Sequence, residues 1–238
     1  MDIKKLENSL EIVFSDKSLL TNALTHRSYL NENKNVKTSN ERLEFLGDSV
    51  LQFLTSEYIY NNYNAQEGLL TSYRAAVVRT ESLAEESLKL KVGDFLLLSK
   101  GEESTGGRER PYIMANTFEA LLGAIYLDKG IEKCRSFLQR TIFTKIEDVV
   151  KNHKYKDCKS EFQELAQERK GVTPIYKVLD EWGPDHDKKF KVAVFVGAKS
   201  EGVGEGLSKQ RAEESAAKCA LASWKSAKIV IKSQYVKN

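Results

Sequence analysis

Asn40-Glu41-Arg42-Leu43-Glu44-Phe45-Leu46-Gly47-Asp48-Ser49 is the stretch on which the reading of this chain turns. Wound at 100° per residue, Leu43, Leu46, Gly47, Val50, Leu51 and Leu54 fall on one face, which predicts a core-facing helix over 40–62. Glu41, Glu44 and Asp48, spaced three and four residues apart, form a second, acidic stripe. Like charges at that spacing destabilise a helix by about a few tenths of a kcal/mol, so something should offset them, and a bound divalent cation would. Phe45 lies about 200° round the wheel from Leu43, among the carboxylates, where an interface residue would stand. A solvated acidic face with one stray aromatic fits the same spacing.

A second helix, Asn116-Thr117-Phe118-Glu119-Ala120-Leu121-Leu122-Gly123-Ala124-Ile125-Tyr126, is apolar enough to be buried, so its carboxylate needs a partner or a metal. Glu44, Asp48, Asn116 and Glu119 could together supply oxygen ligands for Mg²⁺, provided the two helices meet.

Outward from these helices the chain divides. It has 238 residues, 41% hydrophobic and 30% charged, enough for one medium domain and one small one and too apolar for global disorder. Residues 1–150 carry 19 Lys and Arg against 22 Asp and Glu, a net −3, which leaves 18 against 12, a net +6, for 151–238. An acidic part and a basic part suggest different tasks, the basic one a candidate nucleic-acid binder. Up to residue 150 the pattern is helical, near 2–12, 17–25, 40–62, 67–78, 80–90, 93–98, 110–128 and 130–149, with loops at 31–40 and 100–111. Residues 151–156 read as a linker, 157–226 as a small α-β-β-β-α domain, and 227–238 as a basic tail. In that domain 157–170 reads as helix, 175–179 and 190–196 as strands, and Gly-rich 197–206 as a turn into a third strand; Ser208 opens a last helix to about 225. No apolar run approaches the ~18 residues of a membrane span, and the N-terminus leads into an amphipathic stretch rather than a signal-peptide core. Cys134, Cys158 and Cys219 stand far apart and odd in number, which argues against disulfides or a zinc site and for the reducing cytoplasm.

The run NERLEFLGDS (40–49) resembles the signature of the ribonuclease III family. The likeness extends to ALTHRSY (23–29), to Glu67-Gly68 before Arg74, to FEALLGAIYLD (118–128), and to a tail similar to the family's double-stranded RNA-binding domain. It implies an all-α endonuclease domain followed by a small α+β domain. The activity implied is that of a cytoplasmic homodimer cutting both strands of double-stranded RNA, ribosomal RNA precursors and other structured transcripts included. Short 3′ overhangs with 5′-phosphate and 3′-hydroxyl ends would result. On the same resemblance Glu44, Asp48, Asn116 and Glu119 hold Mg²⁺, for which Mn²⁺ can substitute. Asp48 and Glu119 matter most to hydrolysis, Glu41 and Glu67 line the catalytic valley, and Phe45 plugs into the other subunit. No small-molecule cofactor and no membrane partner are implied. Asn116 departs from the family's usual Asp, and Leu69 stands where an acidic residue is frequent.

In the tail, Cys158, Phe162, Leu165 and Ala166 are expected to face a core. Ser160, Gln163, Glu164 and Gln167 form the other face, which the resemblance puts in an RNA minor groove, where 2′-hydroxyls offer donors and acceptors. The resemblance puts the loop Gly183-Pro184-Asp185-His186 in the next minor groove; read alone it is a hairpin turn. Ser208, as helix cap, with Lys209 and Arg211, can hold phosphates. Leu207 and Gln210 replace lysines frequent in the family, removing charge there. Ala216, Ala217, Ala220 and Ala222 with Leu221 and Trp224 read as helix–sheet packing. Against the enzyme stands a non-cleaving double-stranded RNA-binding protein with a metal site weakened at Asn116; Asp48 and Glu119, both present, favour the enzyme. A DNA-directed nuclease is disfavoured by the polar helix face. His26 reads as structural, since it forms no nucleophilic set with His153, His186 or any Ser or Cys.

Overall fold

The computed structural model describes residues 3–153, 155, 158–184 and 188–234. Backbone contacts divide the chain into two units, 1–155 and 156–238. The first begins with α1 (Ile3–Leu10), α2 (Lys17–Ala23) and a short α3 (Tyr29–Glu32). Asp16 caps α2 by accepting the Ser18 N–H at 2.8 Å. There follow α4 (Glu41–Asn62), α5 (Glu67–Val78), α6 (Thr80–Lys89), α7 (Lys100–Ser104), α8 (Pro111–Lys129), α9 (Ile131–Thr141) and α10 (Phe143–Lys151). Pro111 opens α8 at its first position, where the missing N–H costs nothing. Ile113, Met114, Phe118, Leu121, Leu122 and Ile125 bury almost every side of α8, which packs along α4 and α6 as the central helix.

Several expectations need correcting. The helix expected over 93–98 is one tight turn, Val92–Phe95, entered through Lys91 at φ +56°; Leu97 then pairs with Thr25 in a single parallel bridge. The expected loops at 31–40 and 100–111 overlap α3 and contain α7, the latter capped by Ser99 accepting the Glu102 N–H. The helix expected over 130–149 is two, α9 and α10, joined at buried Ile142. Leu46 is only half-buried, so the core stripe of α4 runs through Leu43, Gly47, Val50, Leu51 and Leu54 without it.

The second unit runs α11 (Cys158–Lys170), β1 (Ile175–Trp182), β2 (Lys189–Val196), β3 (Lys199–Gly206) and α12 (Lys209–Gln234). The strands form an antiparallel sheet in the order β1-β2-β3. The Gly-rich stretch expected to be a turn is itself β3, because its glycines are a packing surface. A Cβ on Gly204 would stand 2.2 Å from the Ala216 nitrogen, and one on Gly202 2.5 Å from the Ala216 carbonyl oxygen. α12 therefore lies flat on β3, and Phe162, Ala166, Val194, Ala216, Ala220 and Trp224 close the core between helices and sheet. Cys158 and Leu165 pack at its edge, whereas Ala222 is exposed, contrary to expectation. Among the described residues no helix is long and apolar enough to cross a membrane.

Candidate active site

The site begins with two glycines. A Cβ on Gly47 would stand 1.7 Å from the Glu119 carbonyl oxygen, and one on Gly123 2.2 Å from that of Leu43. Any larger residue would push α4 and α8 apart; glycine lets their backbones touch. Glu44 and Asp48 flank Gly47 on α4, and Asn116 and Glu119 lie in the two turns of α8 before Gly123. The crossing thus gathers four oxygen-bearing side chains, all half-buried.

Their electrostatics record the crowding. Burial pushes the Glu119 pKa up to about 7, with the charges of Asp48 and Glu44 adding to it. Glu44 is also raised, first by burial and then by Glu41; the Asn116 amide, hydrogen-bonded to its carboxylate, works the other way, and Asp48 adds a smaller push upward. Gln52 Nε2 donates to Asp48 at 3.2 Å. Glu41, exposed at the start of α4, accepts from Ser39 Oγ at 2.8 Å and pairs with Arg27 at 3.4 Å. Among the described residues no three Asp, Glu, His or Cys side chains converge tightly enough to cage an ion by themselves.

Glu67 is not brought to this cluster within the chain. It opens α5, accepts from Thr71 Oγ, and borders a separate hollow with Tyr60 and Arg74. Tyr60 is about 18 Å along α4 from Asp48 at helical rise. Phe45 is 78% exposed. Beside it lies a largely apolar groove of about 670 Å³ whose lining includes Leu19, Leu43, Leu46 and Leu127, with Glu41 and Arg42 also bordering it. Sequence reasoning missed this groove: Leu46 has core spacing, and nothing in the local pattern ties Leu19 or Leu127 to it.

In the second unit Ser160, Gln163, Glu164 and Gln167 are all exposed along α11. Gln167 Nε2 donates to Thr173 Oγ1 at 2.7 Å. Ser208 Oγ accepts the Arg211 N–H at 3.2 Å and caps α12, leaving the Lys209 and Arg211 side chains exposed. Phe190 pairs with Gly206 across the sheet, and the ammonium groups of Lys188 and Lys209 stand 5.9 and 5.7 Å from its ring centre. Two cations, one just before β2 and one opening α12, thus converge on one ring, a pair absent from the expected contacts. Asp185 and His186 lie outside the described residues.

A family model described as Ribonuclease-III-like matches residues 16–146, and one for the double-stranded RNA binding motif matches 158–223. Ribonuclease 3 of Oceanobacillus iheyensis is 46% identical over 223 residues, 93% of this chain and 97% of that protein. Ribonuclease 3 of Streptococcus pneumoniae is 47% identical over 218 residues, covering 91% and 94%. Among solved structures, the nuclease domain of ribonuclease III from Campylobacter jejuni, described with a flexible region involved in dimer formation, superposes with a TM-score of 0.57 at 42% identity. It covers 60% of this chain and 97% of that one. With both domains matched in order and near-full coverage on each side, the chain belongs to the ribonuclease III family.

Proposed function

We propose that this chain is a Mg²⁺-dependent endoribonuclease that, as a homodimer, hydrolyses phosphodiester bonds in both strands of double-stranded RNA. The observation that carries this reading is the α4–α8 crossing, which gathers Glu44, Asp48, Asn116 and Glu119. The donor set fits the ion: four hard oxygen donors in an open arrangement suit Mg²⁺, which keeps several waters and takes one or two carboxylates plus substrate phosphate rather than a closed protein cage. Held by Glu44, Asp48, Asn116 and Glu119, such a cation would supply a water of lowered pKa and neutralise charge on the scissile phosphate and leaving oxygen.

The chain's own residues do the rest. Asp48 and Glu44 present carboxylate oxygens from one helix, and Glu119 faces them from the other. The Asn116 amide steadies Glu44 through its N–H, leaving its oxygen to act as a ligand. Burial and the neighbouring carboxylates push Glu119 up to about 7, so a cation held there would favour its charged form near neutral pH. Glu41 and Glu67 extend the acidic surface. Phe45 enters the apolar groove of a second copy, so that the same patch serves both subunits of a two-fold dimer. The second unit holds duplex RNA through the polar face of α11, the loop containing His186, and Ser208, Lys209 and Arg211, largely by shape. Products carry 5′-phosphate and 3′-hydroxyl ends with short 3′ overhangs, and ribosomal RNA precursors in the cytoplasm are the proposed natural substrates.

The test is incubation of the full chain with perfect duplex RNA across a Mg²⁺ titration and in EDTA. Metal-dependent cuts on both strands support the reading; tight binding without cleavage at any Mg²⁺ concentration would make the chain a binding protein disabled at Asn116.

A further inference from the structure

Beside the carboxylate cluster lies a cavity of about 360 Å³ lined by residues that include His26, Glu41, Glu44, Tyr112 and Asn116. His26 enters it from the segment between α2 and α3 and is held from behind. Its backbone N–H donates to the Leu97 carbonyl at 3.1 Å, and the Thr25 carbonyl beside it accepts from Asn40. The Ser28 backbone N–H donates to its ring Nδ1 at 3.2 Å, and Ser28 Oγ lies 2.8 Å from the same atom. Ser28 Oγ in turn accepts the Ser99 N–H at 3.0 Å, which leaves its own proton for Nδ1. A nitrogen receiving those N–H and O–H groups is an acceptor, so in the neutral ring the proton sits on Nε2. Burial lowers the His26 pKa from its ordinary value and so favours the neutral ring. Among the described residues Nε2 has no hydrogen-bond partner.

We propose that His26 is a substrate-contacting residue whose Nε2–H donates to a non-bridging phosphate oxygen of the cut RNA strand, at a linkage next to the scissile one. Three features of the cavity favour an anionic oxygen there. The first turns of α4 and α8 both border it and neither helix has a side-chain cap, so the positive ends of two helix dipoles lie at its rim. Glu41 is engaged by Arg27 and Ser39, and Glu44 by Asn116, which limits the repulsion an anion would meet. The cavity also adjoins Glu44 and Asn116, so a strand whose scissile phosphate sits at the cluster carries a neighbouring phosphate past His26. A donor held in place is what such a contact requires, since the ring tied to Ser28 needs little reorientation as substrate arrives.

The inference rests on the endoribonuclease reading, which cleavage of unmodified duplex RNA by the wild type establishes first. His26→Asn places an amide near Nδ1, keeping the inner tie to Ser28 and losing the outer donor; His26→Gln places a donor near Nε2. Expected for His26→Asn is an unchanged melting temperature with kcat/KM lower by about ten- to a hundredfold, and for His26→Gln a smaller loss. A set of duplexes, each with one methylphosphonate linkage near the cut, locates the contact. At one linkage the substitution should slow the wild type by a similar factor yet slow His26→Asn no further. That coupling decides the matter. Losses that multiply independently at every linkage, or a His26→Asn protein as active as wild type, would overturn the proposal and return His26 to a purely structural role.

Discussion

The α4–α8 crossing and the exposed face of α11 to α12 solve opposite problems. The α4–α8 crossing takes carboxylates partly out of water and crowds them, so that Glu119 is pushed up to about 7 and Glu44 is raised as well. The face proposed to hold RNA leaves Ser160, Gln163, Glu164, Gln167, Lys209 and Arg211 in solvent, spread over separate elements. Buried, mutually repelling groups concentrate function in single atoms. Exposed polar groups share it, each worth about 1 kcal/mol. Loss of one side chain should therefore be nearly fatal in the first region and modest in the second, whereas loss of a whole unit should be severe in either.

The contrast is broken most severely by removing residues 156–238. Duplex binding should fall by about a hundredfold or more at moderate salt, and its steep salt dependence should flatten as phosphate contacts are lost. Single-turnover cleavage at saturating RNA should change far less. Filter binding across a salt series checks this, and equally tight binding by the truncated chain would end the division of labour.

Phe45→Ala comes next. A buried aromatic anchor costs about 2 kcal/mol or more on truncation, so sedimentation should shift toward monomer at low concentration, with activity falling alongside. An unchanged dimer would make Phe45 an incidental surface aromatic.

Much of this was legible in the sequence, for identifiable reasons. The acidic stripe and the off-face Phe45 follow from helical angle alone, and the structure leaves Phe45 78% exposed beside an apolar groove. The meeting of α4 with α8 was not legible, because Gly47 and Gly123 show their purpose only when a Cβ on each is seen to strike the other helix. β3 was misread for a related reason: Gly202, Gly204 and Gly206 carry the composition of a turn, but α12 lies too close for any side chain. His26 was underrated because its tautomer depends on Ser28 and Ser99, and Ser99 is distant in the chain.

Within the acidic cluster the effects should be graded. Asn116→Asp adds one negative charge and should lower the Mg²⁺ concentration for half-maximal cleavage about tenfold, equivalent to about 1.4 kcal/mol. The rate at saturating Mg²⁺ should change less, since the amide oxygen can already serve as a ligand. Identical titrations would place Asn116 outside the ion's reach. The smallest effect concerns stability. Glu119 has a folded pKa of about 7, above its ordinary 4.5, so the stability it contributes is full below about pH 4.5 and lost as pH rises through 7. In EDTA at pH 8, Glu119→Gln should therefore be more stable than wild type by roughly 1–2 kcal/mol after allowance for solvent screening, a difference that vanishes by about pH 4. Denaturation at the two pH values measures it.

The central claim is that the α4–α8 cluster, and Glu119 within it, holds the divalent cation that cuts RNA. Its most direct test is a paired measurement on wild type and Glu119→Gln: single-turnover cleavage of one short duplex RNA at saturating Mg²⁺, with duplex affinity measured in EDTA. The account expects unchanged affinity and a cleavage rate lower by on the order of 10³-fold. Cleavage by Glu119→Gln at the wild-type rate would contradict it.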